Sequence, residues 1–277
     1  MISILNGRRT QMKQLQKQEL GLLNPFFAGW EETILWSGLQ GHMGHAWVDD
    51  GNSPTSARVL VGDFCFLAGR PDLALIEKID LPISQKFLLL IPRTADWEEL
   101  IQQAYAGRCQ KLTRYAIKKQ PDVFDPPKLK AFANSLSGEF ELLPINRELY
   151  DAAKREVWSA DLCSQFSSWA EYERNGLGFA VLHGNELVCG ASSYSFYDEG
   201  IEIEIDTRKD YRRKGLAQAC AARLILECLD RKIYPSWDAA NLESVSLAEK
   251  LGYHFDHPYR AYEVEFYTAC SMQAKDV

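Results

Sequence analysis

The chain has 277 residues, of which 46% are hydrophobic and 25% charged, and its 38 acidic and 31 basic side chains give a net charge of −7. Because nucleic-acid-binding proteins generally need a broad basic surface, this balance argues against nucleic acid as a partner. No apolar run reaches the roughly 18 residues that a membrane-spanning helix requires, so we also expect no membrane partner.

In the first half of the chain, helical and extended patterns alternate as in an α/β domain. They predict a strand at 45–49, a turn at 50–54, a strand at 57–67, a helix at 72–79, a strand at 87–91, a helix at 96–105 and a strand at 110–117. Three prolines interrupt the periodicity between Lys118 and Lys128. We therefore predict an N-terminal α/β domain over residues 1–120, a linker over 121–138 and a second domain over 139–277.

The second half repeats this alternation. The patterns predict helices at 147–158 and 167–174, strands at 178–182, 187–196 and 201–206, a long helix to 230, a short strand at 233–237, a helix to 251 and strands around Tyr253 and Tyr262. Both halves share one coarse order of strands and helices, which suggests an internal duplication.

A cationic, glycine-containing turn follows the predicted strand at 201–206 and opens the long helix. It reads Arg-Arg-Lys-Gly-Leu-Ala from Arg212 to Ala217. The first turn of a helix has unpaired N–H groups and the positive end of the helix dipole, and both favour an anion. Gly215 and Ala217 keep bulky side chains away from it. The turn therefore predicts a phosphate-binding site, with a solvated basic turn as the alternative.

A second motif follows one helix and one strand later. Asn241 is a good N-cap for the helix that ends at Gly252. Arg212-x-x-Gly215-x-Ala217, followed by the segment from Asn241 to Tyr253, resembles the acetyl-CoA-binding motifs of the GCN5-related N-acetyltransferases (GNAT). The resemblance runs from about Phe140 to Phe266. Its segments at 156–166, 235–238 and 253–257 look closest to the zwittermicin A resistance type of this superfamily.

The resemblance implies a fold. We expect the α/β GNAT acyl-CoA N-acyltransferase fold, in which helices flank a mixed, splayed central sheet. A smaller α/β N-terminal domain would precede it, as a degenerate GNAT-like half. No basic glycine turn follows the segment Phe66–Pro71, so we place no cofactor in the first half.

The resemblance also implies acetyl-CoA as cofactor, with its pyrophosphate on the basic turn and its pantetheine arm along the strand before it. Pro235 lacks a ladder donor, which suits a strand that splays away there. The implied cofactor-binding residues are Ile205, Asp206, Thr207, Arg212, Arg213, Lys214, Gly215, Leu216, Ala217, Asn241 and Ser244.

Glu202 and Glu204 are the candidate catalytic residues. Strand alternation places both on one face with Asp206, and an acidic face on a central strand needs water or substrate beside it. The alternative is a polar, outward face. An amine with a pKa of about 10.4 must lose a proton before it can attack a thioester, and a carboxylate can take that proton. The Ile205 N–H could stabilise an oxyanion.

The sequence does not identify the general acid. Many relatives place a tyrosine four residues before the glycine of the second motif, whereas this chain has Ala248 there. Tyr259, Tyr262, Ser246 or water are the alternatives.

We therefore expect an acetyl-CoA-dependent N-acetyltransferase that acts by direct transfer, through a ternary complex, on a primary amine of a small molecule such as an antibiotic. A non-catalytic acetyl-CoA sensor is one alternative function, because Ala248 replaces the usual tyrosine. A protein or peptide acetyltransferase is another, because the N-terminal half could bind a macromolecule. Neither the histidine pairs nor the seven cysteines have the spacing of a complete metal site, so we expect no metal. Free thiols suit a cytoplasmic location. The sequence does not indicate the oligomeric state.

Overall fold

A computed structural model describes residues 12–77, 79 and 87–265. Packing divides the chain into two units: the first comprises Met1–Leu112 and Arg260–Val277, and the second comprises Thr113–Tyr259. The chain passes between the units within two strands, Cys109–Ile117 and Phe255–Glu265. None of the helices in the described ranges is both long and apolar enough to cross a membrane.

The part of the chain before the linker prolines forms six strands and four helices within its described residues. They are β1 (Lys13–Gln14), α1 (Asn24–Phe27), α2 (Thr33–Leu39), β2 (His45–Val48), β3 (Ser56–Val61), β4 (Phe64–Gly69), α3 (Ala74–Glu77), β5 (Phe87–Pro92), α4 (Ala95–Ala104) and β6 (Cys109–Ile117). The helix predicted at 72–79 is thus shorter, and part of its predicted span lies outside the described residues.

The elements that follow are α5 (Pro126–Ala133), β7 (Phe140–Pro144), α6 (Arg147–Ala153), α7 (Trp169–Asn175), β8 (Gly178–His183), β9 (Glu186–Tyr197), β10 (Gly200–Thr207), α8 (Leu216–Arg231), β11 (Tyr234–Ser236), β12 (Asp238–Ala239), α9 (Leu242–Leu251) and β13 (Phe255–Glu265). A short 3₁₀ turn at Ala160–Leu162 lies between α6 and α7. The alternating α/β order predicted from the sequence is confirmed.

One predicted strand is wrong. The continuous strand expected at 57–67 is an antiparallel pair, β3 and β4. Gly62 adopts a left-handed conformation with φ of 58°, which lets the chain reverse over Gly62 and Asp63. Both strands are buried and mainly apolar, and the prediction overlooked the Gly62-Asp63 pair between them, which is a two-residue hairpin signal.

The stretch expected to be a linker contains helix α5. Asp125 caps this helix by accepting the Lys128 N–H at 3.2 Å, and prolines occupy the first turn, where no N–H donor is needed. Leu129 is buried, and α5 packs on α8. The observed units meet at 112/113 and 259/260 and so differ from the predicted boundaries, because α5 packs within the second unit and β13 returns to the first.

In the first unit, the strand order is β1-β2-β3-β4-β5-β13. The strands pair antiparallel except β4 with β5, which are parallel. Trp97 of α4 is fully buried, and its indole N–H donates to the Gly69 carbonyl at the end of β4 (2.9 Å). This bond fastens the helix to the point where β4 extends beyond β5.

In the second unit, the order is β7-β8-β9-β10-β11, again antiparallel except for the last, parallel pair. Helix α8 packs on one face of this sheet, and α6 and the turn at Ala160–Leu162 pack on the other. Strands β7–β11 thus repeat the order and directions of β1–β5, which supports the suspected duplication.

The sheet of the second unit splays after its last parallel pair. Strand β11 pairs with β10 only from Gly200↔Tyr234 to Glu202↔Ser236. The chain then leaves for β12, which pairs with β6 instead. From Ile203 to Thr207, β10 therefore has β9 on one side and no strand of the described chain on the other. We call this second side the open edge.

Because Gly200 has no side chain, β10 and β11 can approach each other closely just before they separate. A Cβ at this position would overlap the Tyr234 carbonyl oxygen, which is backbone and cannot move aside alone. We predict that Gly200→Ala lowers the free energy of unfolding by about 2 kcal/mol, as overpacking a core typically does, measured by urea denaturation. Gly138→Ala is the matched control, because nothing lies within 4 Å of its added Cβ. An equal effect of the two substitutions would contradict the prediction.

Candidate functional site

The open edge of β10 presents backbone groups outward in a regular alternation. The Arg208 N–H donates to the Val188 carbonyl (2.9 Å), towards β9. Since successive N–H groups of a strand point to opposite sides, those of Ile205 and Thr207 point to the open edge. There the Glu204 carboxylate accepts the Ile205 N–H through Oε1 at 3.1 Å. The edge therefore offers strand-like hydrogen bonds to a molecule laid along it.

Three acidic residues alternate along one face of β10, but they differ in exposure. Glu202 is only 3% exposed, and its register partners are two buried serines, Ser195 on β9 and Ser236 on β11. Glu204 and Asp206 are half-buried and lie beyond the last residue that β11 covers. Of the two predicted catalytic carboxylates, only Glu204 lies along the open edge.

The environment of Asp206 favours a proton on its carboxyl group. Burial, with the negative charge of Asp161 adding to it, raises the pKa of Asp206 to about 7, against a lowering by Arg212. The strand register explains this closeness: Asp206 lies opposite Gly190, and the Leu162 side chain packs where a Cβ of Gly190 would be. The turn that carries Asp161 therefore lies against this point of the sheet.

The basic turn has the backbone shape of an anion cradle. Arg213 and Gly215 both have positive φ, at 63° and 81°. Gly215 is the N-cap of the sixteen-residue helix α8, no side chain caps the first turn, and that turn contains no acidic residue. Nothing lies within 4 Å of a Cβ built at Gly215. The helix start is thus open to an anion, with its dipole and N–H groups available.

The three cations of the turn are placed differently. Arg212 Nε donates to the Thr207 carbonyl (3.2 Å), which ties the turn to the end of β10. The Lys214 ammonium lies 4.9 Å from the centre of the Tyr211 ring. Arg213 is exposed, as are the other residues from Arg212 to Gly215. Behind them, Leu216 is buried and Ala217 half-buried, so these two anchor the helix start.

Asn241 and Ser244, predicted to reach the cofactor, also have structural partners. The Asn241 side-chain oxygen accepts the Ser244 N–H (2.9 Å) and caps α9. The Ser244 hydroxyl accepts the Trp237 indole N–H at 3.0 Å. These bonds leave the amide nitrogen of Asn241 and the O–H of Ser244 as donors that a ligand could use.

No phenol stands at Ala248, which is fully buried. Three other tyrosines, Tyr197, Tyr234 and Tyr253, lie close enough to Glu202 for its charge to act on them. Tyr197 shares a hydrogen bond with Ser236 (3.2 Å), and Tyr253 donates to the Pro235 carbonyl (2.6 Å). Burial raises the pKa of both phenols, so neither gives up its proton readily. Tyr262 donates to Glu98 within the first unit (2.7 Å).

Sequence reasoning identified the basic turn and the acidic strand but missed the residues that shape the acidic face. Asp161, Ser195 and Ser236 come from three separate elements, and only the register brings them to β10. The serine-rich pattern of β9, from Ser192 to Ser195, was the available signal, because buried polar residues on a central strand need partners.

Comparisons with known proteins agree on one family. A family model described as GNAT acetyltransferase matches residues 24–262. The chain is 30% identical over 185 residues to an uncharacterized N-acetyltransferase, YdfB, of Bacillus subtilis (strain 168), which is 65% of this chain and 67% of that protein.

Solved structures show the same likeness. A GCN5-related N-acetyltransferase-like protein from Streptococcus suis 89/1591 is 44% identical, with a TM-score of 0.83 over 89% of this chain and 98% of that one. A tandem GNAT protein from the clavulanic acid biosynthesis pathway is 11% identical, with a TM-score of 0.53 over 92% of this chain and 98% of that chain. At this identity the second likeness shows the fold alone.

We predict that the Asp206 carboxyl titrates near pH 7 and that Asp161→Asn lowers this midpoint by removing a like charge, measured by ¹³C NMR of the aspartate carboxyl groups. The folded-state pKa lies above the unfolded value, so ionised Asp206 destabilises the fold above pH 7, and this cost disappears as the pH falls towards 3.8. Asp206→Asn should accordingly raise the melting temperature more at pH 8 than at pH 5. A titration midpoint near 4 would contradict the assignment.

Proposed function

Because this chain belongs to the GNAT acetyltransferase family and is an N-acetyltransferase, we propose that it transfers the acetyl group of acetyl-CoA directly to a primary amine of a small molecule. One observation carries the proposal: a single segment, residues 202–217, combines an acidic strand face, an open strand edge and a cationic helix start. These are the three surfaces that a cationic acceptor, an extended cofactor arm and a pyrophosphate require.

The residues present fit acetyl-CoA. Two left-handed residues, Arg213 and Gly215, open the backbone at an uncapped helix start, so Arg212, Arg213, Lys214, Gly215, Leu216 and Ala217 would hold the pyrophosphate. The open edge at Ile205, Asp206 and Thr207 would bind the pantetheine arm as an added strand. Asn241 and Ser244 would complete the site from α9. When bound, acetyl-CoA supplies an acetyl group activated as a thioester.

The chain's own residues then handle the proton. Glu204 lies along the open edge and is half-buried, so it can take the proton of an amine directly or through water. Glu202 is buried, with Ser195 and Ser236 as its register partners, so it is less accessible to an acceptor than Glu204. The Ile205 N–H points to the same edge and can stabilise negative charge on an oxygen there.

Asp161 adds negative charge beside the acidic face of β10. It lies close to Asp206, so the acceptor we propose carries one or more amines. Asp161 lies within the segment that resembles the zwittermicin A resistance type, and an aminopolyol antibiotic is therefore the first acceptor to test.

The proposal is tested by acetyl-CoA thiol release with the full-length protein across aminopolyols, aminoglycosides, polyamines, amino acids and peptides, with mass detection of the acetylated product. We expect steady release with at least one small primary amine. Binding of acetyl-CoA without release for any acceptor would instead support a sensor. Release with peptides alone would support a protein or peptide acetyltransferase.

We predict that the backbone of the basic turn matters more than its charge. Gly215→Ala forces an L residue into the left-handed region, which costs about 1–2 kcal/mol, so the Kd for CoA should rise about tenfold. Arg213→Gly permits the same left-handed geometry and removes the side-chain charge, so its effect should be smaller and should decrease at high salt. Lys209→Ala, an exposed cation just outside the turn, is the control. Isothermal calorimetry measures all three, and equal effects would contradict the prediction.

We also predict that Glu204→Gln lowers kcat by about 100-fold or more, as loss of a general base does, whereas Glu202→Gln has a smaller effect because Glu202 is enclosed. The exposed Glu173→Gln on α7 should leave kcat unchanged. The measurement is steady-state kinetics with the best acceptor. Full activity of the Glu202/Glu204 double glutamine variant would remove both residues from the mechanism.

A further inference from the structure

The Ile205 N–H has a hydrogen-bond partner within its own strand. Glu204 Oε1 accepts it at 3.1 Å, within the same strand and at the edge that β11 leaves uncovered. A carboxylate is a stronger acceptor than a neutral carbonyl, so any oxygen that arrives at this N–H must displace it. While this bond is present, the Ile205 N–H is not available to an oxyanion, and Glu204 is not available as a base.

The first unit shows how such an edge looks when it is closed permanently. After the end of β4, the Arg70 N–H donates to the carbonyl of Thr55, the residue before β3 (2.8 Å), just as the Arg208 N–H donates to β9. Gly69 therefore corresponds to Thr207, and Leu67 to Ile205. The Leu67 carbonyl accepts the Arg93 N–H (3.0 Å), and the Gly69 carbonyl accepts the buried Trp97 indole.

The two edges thus differ in the kind of partner. In the first unit, a backbone N–H and the indole of the fully buried Trp97 bond carbonyl groups of the edge, and Trp97 cannot withdraw without disrupting the core. In the second unit, the partner of Ile205 is a half-buried side chain that can rotate away. An exchangeable partner suits an edge that has to accept a ligand.

We propose that Glu204 caps the Ile205 N–H in the ligand-free protein and is displaced by the thioester carbonyl of acetyl-CoA, so that cofactor binding releases Glu204 to act on the acceptor amine. This rests on the proposed function and gives Glu204 a second role within it. Before the thioester binds, the carboxylate is held on its own strand. Afterwards the same N–H holds the carbonyl oxygen, and the carboxylate is available at the edge.

The test compares two ligands that differ at the carbonyl. Acetyl-CoA carries the thioester oxygen, whereas S-ethyl-CoA, a thioether, has the same length and charge without it. Calorimetry with the full-length protein gives the ratio of their dissociation constants for the wild type, Glu204→Ala, Glu204→Gln and the exposed control Glu173→Ala. Removing the competing carboxylate should raise the preference for acetyl-CoA about fivefold in Glu204→Ala, and less in Glu204→Gln, whose amide oxygen still accepts.

A second measurement does not depend on any ligand. Hydrogen exchange of the Ile205 amide should be protected in the wild type, faster in Glu204→Ala and unchanged in Glu173→Ala, because only Glu204 bonds this N–H.

The outcomes separate the inference from the function. An equal gain for both ligands would mean that only the negative charge of Glu204 matters, and a loss for acetyl-CoA would mean that Glu204 helps to hold it. Either result overturns the inference while the acetyltransferase remains. If the wild type binds neither ligand, the proposed function fails, and the inference fails with it.

Discussion

The site depends on where one strand stops. Strand β11 pairs with β10 over three residues and then turns towards β6, and every feature of the site is defined by that departure. Glu202 lies before it and is enclosed, whereas Glu204, Ile205 and Thr207 lie after it and meet the open edge. Pro235 sits in the short paired segment, where its missing N–H costs the ladder little. Extending the pairing by even two residues would cover the Ile205 N–H with backbone.

The two units share one strand topology, but only in the second does the described chain leave an open edge on the fourth strand, after its parallel pairing ends. Both contain three antiparallel pairs followed by a parallel pair, yet among the described residues only the second unit has a long helix with a basic start after its fourth strand. In the first unit, Trp97 bonds the corresponding end of the fourth strand and contributes buried area there. The same architecture thus gives a packed core in one half and a site in the other.

Much of the second unit could be predicted from its sequence, because β10, the basic turn and the two caps of α9 are determined by local rules. Alternation, a glycine at the start of α8 and asparagine at the start of α9 are short-range signals. The errors arose where the outcome depends on partners far along the chain. The mainly apolar character of β3 and β4 hid the Gly62-Asp63 turn between them, and the sequence does not show that the helix begun by the prolines at 126 and 127 packs on α8.

The same limit applied within the site. The sequence does not show which of Glu202 and Glu204 is buried. The pairing of β11 with β10 ends at Glu202, so Glu202 is covered and Glu204 is more accessible. Asp161 could not be paired with Asp206 from the sequence, since their closeness depends on Leu162 packing against Gly190. The fold and the proposed cofactor motif can therefore be predicted from short-range sequence signals. The different exposure of the acidic residues depends on tertiary contacts.

Strand β13 has a consequence for the synthesis of the chain. Its residues from Tyr262 to Glu265 pair with β5, and Tyr262 and Val264 are fully buried in the first unit. An N-terminal segment that emerges from the ribosome therefore lacks one strand of its sheet until the entire second unit has been translated. The usual order, in which the earlier domain finishes folding first, is reversed for this edge, and the nascent chain exposes the apolar β5 for most of its elongation.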